Sequence, residues 1–227
     1  MSSASSTTTL AGEIRGQLTG RADPGRAVGQ QAYMKSAMPF LGVPRPEVRR
    51  LVHRAATARH TTLDDLVATS MDLFDHATWR EERYAAIDLT GLPAALGRWE
   101  LAGLHEHQAR TGAWWDYVDD IAHRVAALHD AHPGPAAGRV RTWARDDSLW
   151  IRRLAILSQL QRGPRTDTGL LAEVVLPNAT DPEFFIRKAI GWALRDYART
   201  DPAWVAAFVA SHDLSPLSRR EALKHLG

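Results

Sequence analysis

A chain of 227 residues is long enough to bury a full core, and its lack of cysteine excludes disulfide staples and thiolate metal sites. The net charge is only +2, yet the basic residues are 25 Arg against 3 Lys. Planar guanidinium groups suit bidentate contacts to phosphate, but a GC-rich coding sequence gives the same excess, so composition alone does not choose a partner.

Residues 1–22 are rich in Ser and Thr at their start and hold no long apolar run, so they read as a tail with a first helix. Within them residues 1–8 look frayed, and the mildly amphipathic Ala11–Gly20 begins the fold. No segment is long and apolar enough to span a membrane. From residue 23 to 227 no low-complexity linker intervenes, so this stretch reads as a single domain.

Helix follows helix, with almost no alternation of period two. Breakers fall at Pro24-Gly25, Gly42–Pro46, Gly91-Leu92-Pro93, Pro133-Gly134-Pro135, Gly163-Pro164, Pro177-Asn178, Asp201-Pro202 and Ser215-Pro216. Caps are expected at Thr61 or Thr62 and at Thr78, and Asp181-Pro182 and Asp201-Pro202 read as cap plus first-turn proline. Apolar stripes run through Trp150, Leu154, Leu157 and Leu160, and through Phe184, Ile186, Ile190, Trp192 and Leu194. The expectation is an all-α protein of about twelve helices in six pairs.

A period of 35 residues organises these helices. Arg153 and Lys188 stand 35 apart, Arg83 stands 70 before Arg153, and the intervening beat falls on Val118. Such a period marks stacked helical pairs, each burying its apolar face on a neighbour, so one surface keeps presenting cations.

Several chemistries are missing. His105 and His107 point about 200° apart on a helix and cannot chelate together. There is no HExxH motif, no glycine-rich phosphate loop after a strand and no nucleophile elbow. The positive signal is Trp114-Trp115-Asp116-Tyr117-Val118-Asp119-Asp120. Trp115 and Asp119 share a helical face, and three acids crowd beside aromatic residues. The plain alternative is a core formed by Trp114 and Val118 with solvated acids. Through the repeat, Arg153 and Trp192 are expected on the same concave surface as Trp115 and Asp119. A carboxylate stabilises a developing cation, indole faces attract positive charge, and flanking cations hold phosphates.

These residues also carry a resemblance. Tyr33-Met34-Lys35, Pro39-Phe40-Leu41-Gly42, Trp114-Trp115-Asp116-x-Val118-Asp119, Trp150-x-x-Arg153-x-Ala155-Ile156-Leu157, Phe184-Phe185-Ile186-x-Lys188-Ala189-Ile190-Gly191-Trp192-x-Leu194-Arg195 and Leu214-Ser215-Pro216-Leu217-Ser218-x-Arg220-Glu221-Ala222 resemble the AlkD family of DNA-alkylation-repair glycosylases. The resemblance implies a curved solenoid of HEAT-like repeats with a concave DNA-binding face. It also implies a monofunctional DNA glycosylase that frees N3- and N7-alkylated purines from duplex DNA without flipping the base, with bulky natural-product adducts within its range. It implies Asp119 as the catalytic carboxylate, Trp115 and Trp192 cradling the sugar, Arg153 beside the lesion's backbone, Tyr33 at the duplex and Arg195 near phosphate. Lys35, Arg152, Arg187 and Lys188 complete the expected DNA contacts, Arg152 and Arg187 lying outside the family pattern. The expected partner is alkylated duplex DNA, bound by a cytoplasmic, nucleoid-associated monomer that needs no metal or cofactor.

Overall fold

The structure, a computed structural model, describes residues 9–226; the frayed segment expected at 1–8 lies outside the described residues. Among the described residues the fold is all-α, with thirteen α-helices, three short 3-10 turns and no strand. The first helix, α1 (Leu10–Thr19), is followed by twelve more. Contacts divide the chain into two compact units that meet between Leu96 and Gly97. The stretch from residue 23 onward, expected as one domain, runs through both.

The first unit holds α1, α2 (Pro24–Met34), α3 (Arg45–Ala58), α4 (Leu63–Asp75) and α5 (Arg80–Leu89). Thr9 caps α1 by accepting from Gly12 N–H, and Thr62 forms a reciprocal capping box with Asp65 at the start of α4. The cap expected at Thr78 is not there: Trp79 occupies that position of α5 and makes no side-chain cap bond. The chain enters α5 through another tie, Arg80 N–H donating to the Pro39 carbonyl at 2.9 Å. Leu18, Val48, Leu51, Leu73 and Phe74 are fully buried where α1 and α3–α5 meet.

The loop before α3 is built around one acid. Glu81 is fully buried, and its carboxylate accepts from the backbone N–H groups of Leu41, Gly42 and Val43 at 2.9, 2.8 and 3.1 Å. Gly42 is required there, because its φ of +92° suits a residue without Cβ and a Cβ would strike the Asp23 carbonyl. Glu81→Ala strands three buried donors, each costing about 1–3 kcal/mol. The expected result is a loss of about 3–5 kcal/mol in urea unfolding; a loss below about 1 kcal/mol would show that this loop is held by something else.

The second unit begins with a 3-10 turn (Trp99–Leu101). It then holds α6 (Ala102–Gly112), α7 (Trp115–Ala131), α8 (Pro133–Trp143), α9 (Leu149–Leu157), α10 (Thr168–Val175), α11 (Phe184–Tyr197), α12 (Pro202–Ser211) and α13 (Pro216–Ala222). Odd-numbered helices pack in succession, α7 on α9, α9 on α11 and α11 on α13; α6, α8, α10 and α12 back them. This is a helical repeat, and Val118, Arg153 and Lys188 occupy its equivalent beats on α7, α9 and α11. Ile186, Ile190 and Leu194 are fully buried along α11, each worth about 1.5–3 kcal/mol of apolar burial. Phe184 and Trp192, expected on that stripe, lie off it: Phe184 is 52% exposed and Trp192 half-buried.

Two start signals in this unit resolve differently. Asp201 caps α12 by accepting from Trp204 N–H, with Pro202 in the first turn as expected. Pro182 instead precedes α11, whose cap is Glu183. The Asp181 side chain is already engaged, accepting from Glu183 N–H and from Arg152.

Candidate active site

The start of α7 sets the site. The backbone turns at Ala113, a left-handed residue with φ 46°, and passes through extended Trp114 into the helix. Tyr117, Val118 and Ile121 fill the core completely, so Trp115, Asp119 and Asp120 fall on the other faces and are half-buried. The core reading of Val118 therefore holds, while the neighbouring carboxylate is not simply solvated.

Asp119 meets Arg153 from α9. Arg153 Nε donates to Asp119 Oδ1 at 2.8 Å and Nη2 donates to Oδ2 at 2.9 Å, a two-pronged pair. The third guanidinium contact goes to α11, where Nη1 donates to the Phe185 carbonyl at 2.6 Å. The Arg153 side chain is only 6% exposed and that of Asp119 16%. Taking two charges this far out of water is costly and repaid only by good geometry, so the pair is weak evidence of a stabilising device and better evidence of a positioned carboxylate. Burial pushes the Asp119 carboxyl above its usual value; the Arg153 bonds and charge oppose that rise, and Asp116 and Asp120 add to it. The extra acid at 120 thus acts on the site through repulsion.

An aromatic cluster adjoins the pair through Phe185. Trp114, Trp150 and Phe185 form a triangle with ring centroids 5.1–5.9 Å apart, and the Arg153 guanidinium lies 5.9 Å from the Phe185 ring. Sequence reasoning placed Trp150 only on an apolar stripe and gave Phe185 no role. Their signal was spacing, because Trp115, Trp150 and Phe185 stand 35 residues apart. His123, one turn after Asp119, was also missed. Burial holds it below the ordinary imidazole value and Arg124 acts the same way, against Asp120, Asp119 and Asp196 of α11. It adds no positive charge beside Asp119 at neutral pH.

The remaining expected residues are placed as follows. Lys188, Trp192 and Arg195 share a stripe of α11, at i, i+4 and i+7. Lys188 and Arg195 both pair with Glu221 of α13, at 3.0 and 2.6 Å. Arg152 turns toward the preceding loop, donating to the Asp146 and Asp147 carbonyls and pairing with Asp181 at 2.9 Å. Arg187 is half-buried. Tyr33, 75% exposed, and Lys35, in the left-handed cap of α2, belong to the first unit. Arg83, the first beat of the repeat, donates to the Phe74 carbonyl and lies 4.8 Å from that ring. The repeated cations each tie to a neighbouring element, Arg83 to the Phe74 carbonyl, Arg153 to α7 and α11 and Lys188 to α13, and Lys188 keeps 38% of its side chain exposed. A guanidinium at a packed helix boundary has lost water and takes the nearest carbonyl or carboxylate in its place.

Among the described residues no group of three or more His, Asp or Glu side chains is placed to hold a metal ion, and no helix is long and apolar enough to cross a membrane. No curated protein matches the chain. A solved structure described as a predicted DNA alkylation repair enzyme from Enterococcus faecalis is similar over 91% of this chain and 97% of its own, with 32% identity and a TM-score of 0.80. The family described as DNA alkylation repair enzyme matches residues 14–226. On this match, which takes in both units and every residue of the site above, the chain belongs to the family of DNA alkylation repair enzymes.

Proposed function

We propose that the protein is a monofunctional DNA glycosylase that hydrolyses the N-glycosidic bond of N3- and N7-alkylated purines in duplex DNA. The observation that carries this reading is the Asp119 carboxylate, largely withdrawn from water, held on both oxygens by Arg153, and sharing a helix face with Trp115.

Ordinary glycosidases need two carboxyl groups, one of them to protonate the leaving group. An alkylated purine already carries a positive charge and departs as a neutral base. One carboxylate is then enough. As the C1′–N bond breaks, positive charge moves onto the sugar, and Asp119 stabilises it and orients the water that adds to C1′. That water gives up one proton, and the products are the free alkylated base and an abasic site. Trp115 and Trp192 add about 0.5–2 kcal/mol each through attraction between indole faces and the cationic sugar. Half-buried indoles that line a sugar without enclosing a base suit chemistry on a base that stays in the stack, and such a site would admit bulky adducts.

Duplex DNA carrying 7-methylguanine, incubated with the protein, is expected to release free 7-methylguanine and leave abasic sites cleavable by alkali. Tight binding of that duplex with no free base would make the protein a damage sensor instead. Neither binding nor release would leave the helical repeat as a protein scaffold.

A further inference from the structure

Glu221, the single acid of α13, has no role in the reaction just described, yet it is engaged by two cations. Its two carboxylate oxygens are divided between two cations, Oε1 pairing with Lys188 Nζ at 3.0 Å and Oε2 with Arg195 Nη1 at 2.6 Å. The side chain is 15% exposed, whereas Lys188 is 38% and Arg195 21% exposed, so the cations reach solvent more than the acid does. Both pairs lower the Glu221 carboxyl below its usual value, that with Lys188 the more.

The fold is arranged to deliver this acid. Gly191 is buried, and a Cβ there would strike Glu221 Cβ and stand 3.0 Å from the Ser218 carbonyl, so α13 lies directly on α11 only because residue 191 has no side chain. Ser218, fully buried, donates to the Arg187 carbonyl at 3.0 Å, and Ser215 caps α13 by accepting from Ser218 N–H. These contacts fix Glu221 between Lys188 and Arg195, on the stripe that also carries Trp192.

Two cations converging on two oxygens of one anion is also how a phosphodiester is held, through its two non-bridging oxygens. We propose that Glu221 is a resident competitor for a DNA phosphate at Lys188 and Arg195, so that a backbone phosphate engages this pair only by displacing the carboxylate. The inference rests on the glycosylase reading, because it takes duplex DNA as the partner. Its consequence is discrimination: undamaged duplex gains little from these cations, and hold is reserved for a complex whose other contacts make the exchange worthwhile.

The test is equilibrium binding of an undamaged duplex, measured from about 50 to 200 mM salt. Glu221→Gln keeps the side-chain length and removes the charge. It is expected to bind severalfold more tightly than wild type at the low end, with a log–log salt slope steeper by about 0.9, one additional phosphate. Glu221→Asp keeps the charge but is too short to span both cations, and should move both readouts the same way by less. Thermal unfolding identifies which variants are folded, and either one alone suffices. A folded variant with wild-type affinity and slope, or with weaker binding, overturns the proposal and leaves Glu221 a tie between α11 and α13. If wild type itself binds no duplex at any salt, the glycosylase reading fails, and that failure is seen before any variant is made.

Discussion

Asp119→Asn is expected to slow excision of 7-methylguanine by roughly a hundredfold or more under single-turnover conditions, with undamaged-duplex binding retained. Removing one well-placed electrostatic group from a site where charge develops costs about 3 kcal/mol, which is about two powers of ten in rate. Asn is nearly the same size and still offers an oxygen to one arm of Arg153, so the local packing persists and the lost quantity is charge. Arg153 is 6% exposed and would be left without its counter-ion. The variant should therefore also lose about 1–3 kcal/mol of stability, read by denaturant unfolding. The two readouts separate the roles. A rate near that of wild type in a folded variant would remove Asp119 from the chemistry, whatever its worth to the fold. A lost rate with normal stability would mean that Arg153 has found another partner, such as Asp116 or Asp120.

Much of the architecture could be read in the sequence because its determinants are local. Asp201-Pro202 and Thr62 with Asp65 mark helix starts through bonds made within three residues. The 35-residue beat is visible because α7, α9 and α11 recur at about that spacing and pack in succession. Asp181-Pro182 misleads for a non-local reason: Arg152, 29 residues earlier, takes the Asp181 carboxylate, and the helix starts at Phe184 instead. The site divides in the same way. Asp119 and Trp115 were legible as one face of one helix. That Arg153 points back at Asp119 and not out toward a phosphate was not, because burial decides it and spacing does not. Glu221 carries no local signature at all. It lies 26 residues from Arg195 and 33 from Lys188, and the one trace of its approach is a glycine at position 191.

Arg153 itself provides the second large effect, and its two substitutions part charge from geometry. In Arg153→Ala the Asp119 carboxyl loses the influences that hold its proton affinity down, while burial and the repulsion of Asp116 and Asp120 remain. A nearby opposite charge is worth about 1–3 units to a carboxyl, so the acid limb of the excision pH profile should move to higher pH by about one unit or more. The sign follows from the reaction, which needs the carboxylate ionised: activity falls as pH drops through the folded-state value, and raising that value brings the fall closer to neutrality. The same shift bears on stability. A carboxyl raised in the folded state contributes most below its unfolded value of about 3.9, and that contribution is lost as pH rises through the folded value. Ionised Asp119 is thus a cost to the fold at neutral pH that Arg153 offsets. Arg153→Lys keeps a positive charge near the carboxylate but supplies a point donor in place of a fork. It cannot hold both Asp119 oxygens and the Phe185 carbonyl together as Arg153 does at 2.8, 2.9 and 2.6 Å. The lysine variant should keep its acid limb near that of wild type, yet share with alanine a plateau rate lowered about tenfold or more by loss of orientation. An alanine variant whose acid limb stays in place would show that Arg153 orients Asp119 without tuning it, and a lysine variant at full rate would show the reverse.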